Sequence, residues 1–202
     1  MKRFLLLLLL FGSTIAIAQT TWTGLGANTN WNNTDNWDTN LVPTVSDDVI
    51  IPTGFTVTLN VAGTIKSLDL QGNSVFDVNN SLTFTDTYTI SSNATVDWNS
   101  GILQGDGTLT NNGTMNLPTT SAKSIYGTTV LNNEGVMNFQ STGYLYLFGD
   151  ATLNNTVSGV IDFQDNAVIS YSGSGAFNFN NQGMLKKTAG AGVSSIQTRL
   201  TN

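Results

Sequence analysis

Few residues of this chain could do chemistry, because it contains no histidine and no cysteine among 202 residues. Zinc sites, cysteine nucleophiles and histidine-based triads are therefore excluded. Paired carboxylates remain as acid–base candidates, since a glycoside hydrolase needs two facing carboxyl groups. Asp106 and Asp150 occupy the same place in a repeat described below, two copies apart, and each follows a glycine. An aspartate in that position is more typical of a solvated turn, so we predict no catalytic residue.

Basic residues, which a polysaccharide lyase would need for its base, are also scarce. Beyond Lys2 and Arg3 at the start of the chain, Arg199 is the single arginine. Asp47 and Asp48 offer oxygen ligands that suit Ca²⁺, but no alternating acidic loop surrounds them. We expect them to form turns and to cap backbone amides ahead of a strand. The sequence predicts a non-enzyme with no cofactor and no metal site.

The first residues have the pattern of an export signal. Lys2 and Arg3 precede an apolar run over residues 4–11, and Ala-Ile-Ala at residues 16–18 has the small-x-small pattern of a signal-peptidase site. The apolar run is too short to span a bilayer. We therefore predict a signal peptide at residues 1–18, cleavage before Gln19, and a secreted or cell-surface location.

The exported part is acidic but poor in charge. Removing residues 1–18 leaves 7 − 2 = 5 basic residues against 13 acidic ones, a net charge of 5 − 13 = −8. A scattered acidic surface repels nucleic acid and anionic lipid, so we expect no nucleic-acid partner and no membrane insertion. With 40% hydrophobic and only 10% charged residues, the composition also argues against disorder.

Short alternating apolar segments recur along the chain, and in its second half they form four copies of one pattern. The apolar anchors of these copies are Leu109, Leu131, Leu153 and Phe179. Successive anchors are 131 − 109 = 22, 153 − 131 = 22 and 179 − 153 = 26 residues apart. A period near two dozen residues, built from strand and turn patterns alone, predicts an all-β parallel β-solenoid. A β-sandwich is the alternative.

The other columns of the repeat predict structural roles. We expect the anchors to point inward and stack, followed by a second apolar column at Met115, Met137, Ile161 and Leu185. The asparagine column predicts an amide ladder between coils, with solvated turn formation as the alternative; it comprises Asn111, Asn133, Asn155 and Asn181. The glycine column predicts turns with positive φ; it comprises Gly113, Gly135, Gly159 and Gly183. Upstream, Leu68, Leu82 and Val96 are fourteen residues apart (82 − 68 and 96 − 82), which indicates either narrower coils or a strand-rich lead-in.

Residues 22–52 differ in kind and carry the pattern W-x-G … W … N-W … P … D-D-V-x-I-P. This pattern resembles the start of secreted bacterial cell-surface proteins with a right-handed parallel β-helix, many of them adhesin-like and exported by the type IX route. The later N-x-G-T-[MIL] repeats and residues 183–196 are similar to repeats of the same proteins. The resemblance covers nearly the whole exported chain. It implies a non-catalytic structural or adhesive segment, with a polysaccharide lyase or hydrolase and a carbohydrate-binding module as alternatives.

Three of the four tryptophans lie in this N-terminal block. Exposed aromatic rings bind sugar faces, so Trp22, Trp31 and Trp37 are candidates for a sugar platform. A solenoid must also cover its first coil, and we favour the interpretation that these tryptophans form that cap. The predicted organisation is a cap at residues 19–54 and repeats at residues 55–202, clearest at 105–187.

The resemblance and the repeat pattern also predict the partners. We expect extracellular polysaccharide or another cell surface as the partner, and a covalent continuation of the repeats beyond Asn202. Unpaired backbone groups at the end of a solenoid recruit other strands, so we expect this chain alone to self-associate through its last coil.

Overall fold

The alternating apolar segments form 23 short strands and one 3-10 turn, Thr34–Asn36, in a computed structural model that describes residues 18–202. The predicted signal peptide therefore lies outside the described residues, apart from Ala18. The strands, numbered in chain order, form three parallel sheets. Sheet 1 comprises β1 (Ala18–Thr21), β2 (Asp47–Ile51), β5 (Ser67–Leu70), β8 (Thr87–Ile90), β11 (Thr108–Asn111), β14 (Val130–Asn133), β17 (Thr152–Asn155), β20 (Asn178–Asn181) and β23 (Leu200–Thr201).

The other two sheets have seven strands each. Sheet 2 comprises β3 (Thr56–Leu59), β6 (Val75–Val78), β9 (Thr95–Trp98), β12 (Thr114–Leu117), β15 (Val136–Phe139), β18 (Val160–Phe163) and β21 (Met184–Lys187). Sheet 3 comprises β4 (Gly63–Ile65), β7 (Leu82–Phe84), β10 (Gly101–Gly105), β13 (Lys123–Gly127), β16 (Tyr144–Phe148), β19 (Val168–Ser172) and β22 (Ser195–Ile196). From β2 onward the chain visits sheets 1, 2 and 3 in strict rotation, which makes a three-sided solenoid of about seven turns.

The register of the strands confirms the predicted solenoid and excludes the β-sandwich. Leu109 pairs with Leu131, and Leu131 with Leu153, in parallel strands of sheet 1. Phe179 continues this stack at the next coil. The second apolar column stacks in the same way in sheet 2, where Met115 pairs with Met137. Because side chains alternate along a strand, each coil buries every second residue and turns the others to solvent.

The fourteen-residue spacing upstream, for which narrower coils and a strand-rich lead-in were the two interpretations, is not the length of a coil. Leu68, Leu82 and Val96 lie in β5, β7 and β9, which belong to three different sheets. A step of fourteen residues therefore covers about two thirds of a coil. The column that repeats in sheet 1 is Val49, Leu68, Tyr88 and Leu109, with steps of 68 − 49 = 19, 88 − 68 = 20 and 109 − 88 = 21 residues. The first coils are only slightly shorter than the later ones.

The predicted reason for the glycine column also needs correction. Positive φ occurs at the first glycine of each repeat, for example at Gly127, where φ is +80°. The glycines of the predicted column do not have positive φ; they are Gly113, Gly135, Gly159 and Gly183. At Gly135 an added Cβ would lie 2.2 Å from the carbonyl oxygen of Gly113 in the preceding coil. These glycines are needed because neighbouring coils approach too closely there for any side chain.

The N-terminal block covers the first coil. Trp31 donates its backbone N–H to the carbonyl of Thr58 at 2.8 Å, and Thr58 donates to Thr29 at 2.8 Å, so this loop pairs with the outer edge of β3. On sheet 1, β1 pairs with β2 and continues the sheet beyond the first coil. Since β2 is itself part of the first coil, the solenoid begins within the segment predicted as a cap.

Candidate functional site

An amide ladder inside the solenoid is the most regular polar feature. It is formed by the last residues of β11, β14, β17 and β20, which turn their side chains inward where sheet 1 meets the next turn. Asn111 Nδ2 donates to Asn133 Oδ1 at 2.7 Å, and Asn133 Nδ2 donates to Asn155 Oδ1 at 2.8 Å. Asn155 repeats the contact to Asn181 at 2.8 Å. The side chains are at most 7% exposed, so they are buried ladder residues rather than solvated turn formers.

Three of these amides, those of Asn111, Asn133 and Asn155, also bind the turn of the following coil. The second donor of Asn111 reaches the carbonyl of Val136 at 3.0 Å, one residue after Gly135. Asn133 makes the same contact to Val160 at 3.1 Å. A buried amide that lacked partners would be costly, and here both N–H groups are satisfied by the next coil. The ladder thus fixes where one coil lies on another.

Two further ladders run along the outside and were not predicted from the sequence. On sheet 1, Asn154 Nδ2 donates to Asn132 Oδ1 at 2.8 Å, and Asn180 continues the row. On sheet 2, Asn138 Nδ2 donates to Asn116 Oδ1 at 3.0 Å, and Asn116 donates to Asp97 at 2.8 Å. The signal was present in the repeat, since these positions also carry asparagine in successive copies.

The tryptophans of the N-terminal block are buried and therefore do not form an exposed sugar platform. Trp22, Trp31 and Trp37 are 2%, 0% and 1% exposed. Their rings pack edge to face, with centroids 4.9 Å apart for Trp22 and Trp37 and 4.8 Å for Trp31 and Trp37. The Trp37 indole donates to the Trp31 carbonyl at 2.8 Å, and Trp31 contacts Phe76 in the core.

Two of the aspartates singled out in the sequence join turns of successive coils, and a third makes a contact within its own turn. Asp106 accepts from Thr128 Oγ1 at 2.7 Å, and Asp150 accepts from the backbone N–H of Ala176 at 2.8 Å. Asp47 accepts from the backbone N–H of Thr44 at 2.6 Å. Within residues 18–202, no group of three or more acidic, histidine or cysteine side chains could hold a metal ion.

Asp48 behaves differently from its neighbour. It accepts from Lys66 Nζ at 2.8 Å and from Ser67 Oγ at 2.5 Å, across β2 and β5. The hydrogen bond from Lys66, with a smaller contribution from Ser67, lowers the pKa of Asp48. The pair is partly exposed to solvent, so its contribution to stability is small.

A carboxylate pair on the outer face of sheet 2 was missed in the sequence. Asp77 of β6 pairs in register with Asp97 of β9, one coil away. Burial raises the pKa of Asp77, and repulsion by Asp97 adds to this. The signal was the shared pattern of the two strands, Val-Phe-Asp-Val and Thr-Val-Asp-Trp, which places both aspartates outward.

Lys123 is a buried basic residue at an inward position of β13. Its register partners are Gly101 and Leu145, and its side chain is 1% exposed. The ammonium group donates to the carbonyls of Thr119 at 2.7 Å and Ser121 at 2.8 Å. Burial lowers the pKa of Lys123 to about 8.

These features define a class of protein, a capped parallel β-solenoid whose coils are joined by apolar stacks and amide ladders. Residues 21–142, from the cap to the coil of β15, match a family described as a domain of unknown function, DUF8693. The match spans 142 − 20 = 122 of the 202 residues, so the chain belongs to that family. No curated protein and no solved structure matches the chain. No helix in the described part of the chain is long and apolar enough to span a bilayer.

Proposed function

We propose that this protein is a non-catalytic structural or adhesive segment at a bacterial cell surface. It would be of the kind found in secreted adhesin-like proteins with a parallel β-helix, many of which use the type IX route. The observation that carries the proposal is that the recurring residues of the repeat join the coils. The leucine, asparagine and glycine columns all make contacts between coils, as Leu131, Asn133 and Gly135 show. The residues that recur in every copy therefore serve to hold the coils together.

The N-terminal sequence and the architecture of this scaffold support an extracellular role. The chain has no cysteine, and its stability comes from stacked side chains and ladders of hydrogen bonds rather than from disulfides. An N-terminal export pattern precedes the first strand. A stack of similar coils presents wide outer faces for contact, which is how solenoids bind extended partners.

Surface location is tested by treating intact producing cells with a protease that cannot enter them. We expect an antibody against the chain to detect its loss, while a cytoplasmic marker protein stays intact. A variant in which Lys2 and Arg3 are replaced by aspartate provides the control, because export signals need a basic start. Protection of the native chain from the protease in intact cells would refute the proposal.

A second candidate function, polysaccharide cleavage, is favoured by the pair of Asp77 and Asp97. Neighbouring parallel strands lie about 4.8 Å apart, which is close to the carboxyl separation of about 5 Å in retaining glycosidases. A carboxyl group with a raised pKa beside a second carboxyl group is the arrangement of a general acid and its partner. One carboxylate oxygen of Asp97 accepts a hydrogen bond from Asn116 Nδ2 at 2.8 Å.

The two candidates are separated by incubating the purified protein with polygalacturonate, alginate, xylan and glucan. The scaffold proposal expects neither hydrolysis nor elimination products. Turnover that vanishes in both Asp77→Asn and Asp97→Asn, and persists in Asp106→Asn, would establish the enzyme instead. Asp106→Asn is the matched control because Asp106 is an exposed turn aspartate far from this pair in the repeat.

A further inference from the structure

The three outer faces of the solenoid differ in chemistry. Sheets 1 and 2 carry aspartates outward, such as Asp69 and Asp77, and none of their outward strand positions in residues 18–202 is aromatic. Sheet 3 has the opposite composition. Its single charged residue among the described strands is Lys123, which points inward and is buried. Its outward positions carry the aromatic side chains instead.

Four of these side chains form an aromatic ridge, defined as Tyr126, Tyr144, Tyr146 and Phe148. Tyr144, Tyr146 and Phe148 alternate along β16, so all three project from the same face. The rings of Tyr144 and Tyr146 are nearly parallel, at 9° with centroids 5.3 Å apart. Phe148 follows at 5.9 Å from Tyr146, and Tyr126 of the preceding coil lies 5.8 Å from Phe148. The ridge therefore runs along one strand and turns onto its neighbour.

The ridge is accessible and is bordered by neutral hydrogen-bonding groups. Tyr126 is 49% and Tyr144 is 40% exposed, although large aromatic side chains are normally buried. Ser124 lies beside Tyr146 in register on the adjacent strand. Gln104 precedes Tyr126 in its column and donates to Thr83 at 3.0 Å. Aromatic rings thus lie beside hydroxyl and amide groups on strands that carry no outward charge.

The shape and chemistry of the aromatic ridge indicate which class of ligand would fit it. A sugar ring has apolar C–H faces that pack on aromatic rings and a rim of hydroxyls that exchange hydrogen bonds with serine and glutamine. An elongated ridge fits a chain of such rings. In the described residues the strands of this face carry no outward charge, which matches a neutral ligand, and the net charge of 5 − 13 = −8 after export repels an anionic one. We propose that the aromatic ridge of sheet 3 binds neutral polysaccharide. This inference rests on the proposed extracellular adhesive role and names its ligand class.

Affinity electrophoresis tests the ridge, with the purified protein run in native gels that contain xyloglucan, hydroxyethyl cellulose or galactomannan. We expect retardation by at least one of these neutral polysaccharides and none by alginate or polygalacturonate. Tyr126→Ser/Tyr146→Ser should weaken the apparent affinity by roughly tenfold or more, since two ring contacts are lost. Tyr146→Phe should retain most binding because it keeps the ring.

The matched control is Thr108→Ala/Thr110→Ala, which changes two outward side chains of sheet 1 and should leave retardation unchanged. Circular dichroism and melting temperature check the fold of each variant, and the single change Tyr126→Ser serves if the double variant unfolds. Three results would overturn the inference: no retardation by any neutral polysaccharide, retardation by the anionic ones alone, or equal weakening in the sheet 1 control. Protease sensitivity on intact cells is measured separately, so failure of ridge binding and failure of the adhesive role are distinguishable.

Discussion

Asn133 donates its side-chain N–H to Asn155 Oδ1 at 2.8 Å, and the two residues lie in equivalent places of consecutive coils. Asn133 also accepts from Asn111 and donates to the Val160 carbonyl, so one side chain joins three coils. Parallel stacking alone would permit a coil to shift along its neighbour. The buried amides oppose such a shift, because a displaced amide would leave buried donors without acceptors.

The first prediction concerns this ladder. Asn133→Ala should lower the free energy of unfolding by about 3 kcal/mol, because the donor of Asn111 and the acceptors on Asn155 and Val160 lose their partner in a buried site. Urea unfolding followed by circular dichroism measures the change. Asn132→Ala is the control, since its side chain belongs to the outer ladder and solvent can replace the lost hydrogen bond. Equal losses for the two variants would show that burial of the ladder does not matter.

A second prediction separates close approach from backbone conformation at the glycines. Gly135→Ala should destabilise the protein by about 3 kcal/mol, because the new Cβ would lie 2.2 Å from the Gly113 carbonyl. Gly54→Ala should cost only about 1 kcal/mol, since Gly54 has φ +87° and nothing within 4 Å of the added Cβ. Melting temperatures of both variants give the comparison. A larger loss at Gly54 would contradict the close-approach explanation.

The third prediction concerns a hydroxyl in the core. Tyr88 is fully buried, its hydroxyl has no hydrogen-bond partner among the described residues, and burial raises its pKa. Tyr88→Phe removes the unpaired group and keeps the ring against Phe84 and Phe76. We expect stability to stay equal or to rise by about 1 kcal/mol. Exposed Tyr126→Phe should be neutral. A clear loss of stability at Tyr88 would mean that its hydroxyl has a partner in solution.

Buried Lys123 predicts a pH dependence of stability. Its pKa falls from 10.5 in an unfolded chain to about 8 in the fold, so the unfolded state binds more protons between these values. The free energy of unfolding should therefore rise with pH across that window, by up to about 3 kcal/mol. Lys123→Met removes this group and should flatten the rise.

Urea unfolding of the parent and of Lys123→Met over the same pH series checks this. The difference between the two curves isolates the contribution of Lys123 to the pH dependence. We expect the variant to be more stable near neutral pH and the curves to converge at high pH. A difference that is independent of pH would show that the lysine keeps its ordinary pKa through its contacts with Thr119 and Ser121.

The last prediction is the start of the exported protein. Cleavage after Ala18 leaves Gln19 first and removes one pair of β1, Ala18 with Asp47, while Gln19, Thr20 and Thr21 still pair with β2. Intact mass or N-terminal sequencing of the secreted product measures the site. Replacing Ala18 by a bulky residue should block processing, because the peptidase needs a small side chain there. A start before residue 11 or after Trp22 would contradict the assignment.

The period of the repeat was sufficient to predict the solenoid, the inward stack of Leu109 and Leu131, and the asparagine column. Periodicity shows which residues share a column, but the atoms they contact depend on the coil above and below. That is why the role of Gly135 was misassigned. In β16 the alternation Tyr-Leu-Tyr-Leu-Phe separates two sets of side chains, and only the pairing with β13 shows that the leucines face inward.

Lys123 illustrates the same limit for a charged residue. Its type argues for the surface, whereas its place two residues before Ile125 in β13 turns it inward. The cost of burying the ammonium group is offset by carbonyls of a turn that the sequence pattern does not locate. In the first coils, the fourteen residues between Leu68 and Leu82 separate strands of different sheets. The turns there are short, so the sequence pattern does not show where one coil ends and the next begins.

The third repeat contains two extra residues in the turn between Asn155 and Gly159, where Val157 is 81% exposed. Asn155 nevertheless keeps its contacts with Asn133 and Asn181, and β18 stays in register with β15. Length added to a surface turn costs little entropy, and the following coil resumes its place. Residues can therefore be inserted into the turns of such a chain, by evolution or by protein engineering, without a change in the packing of its interior.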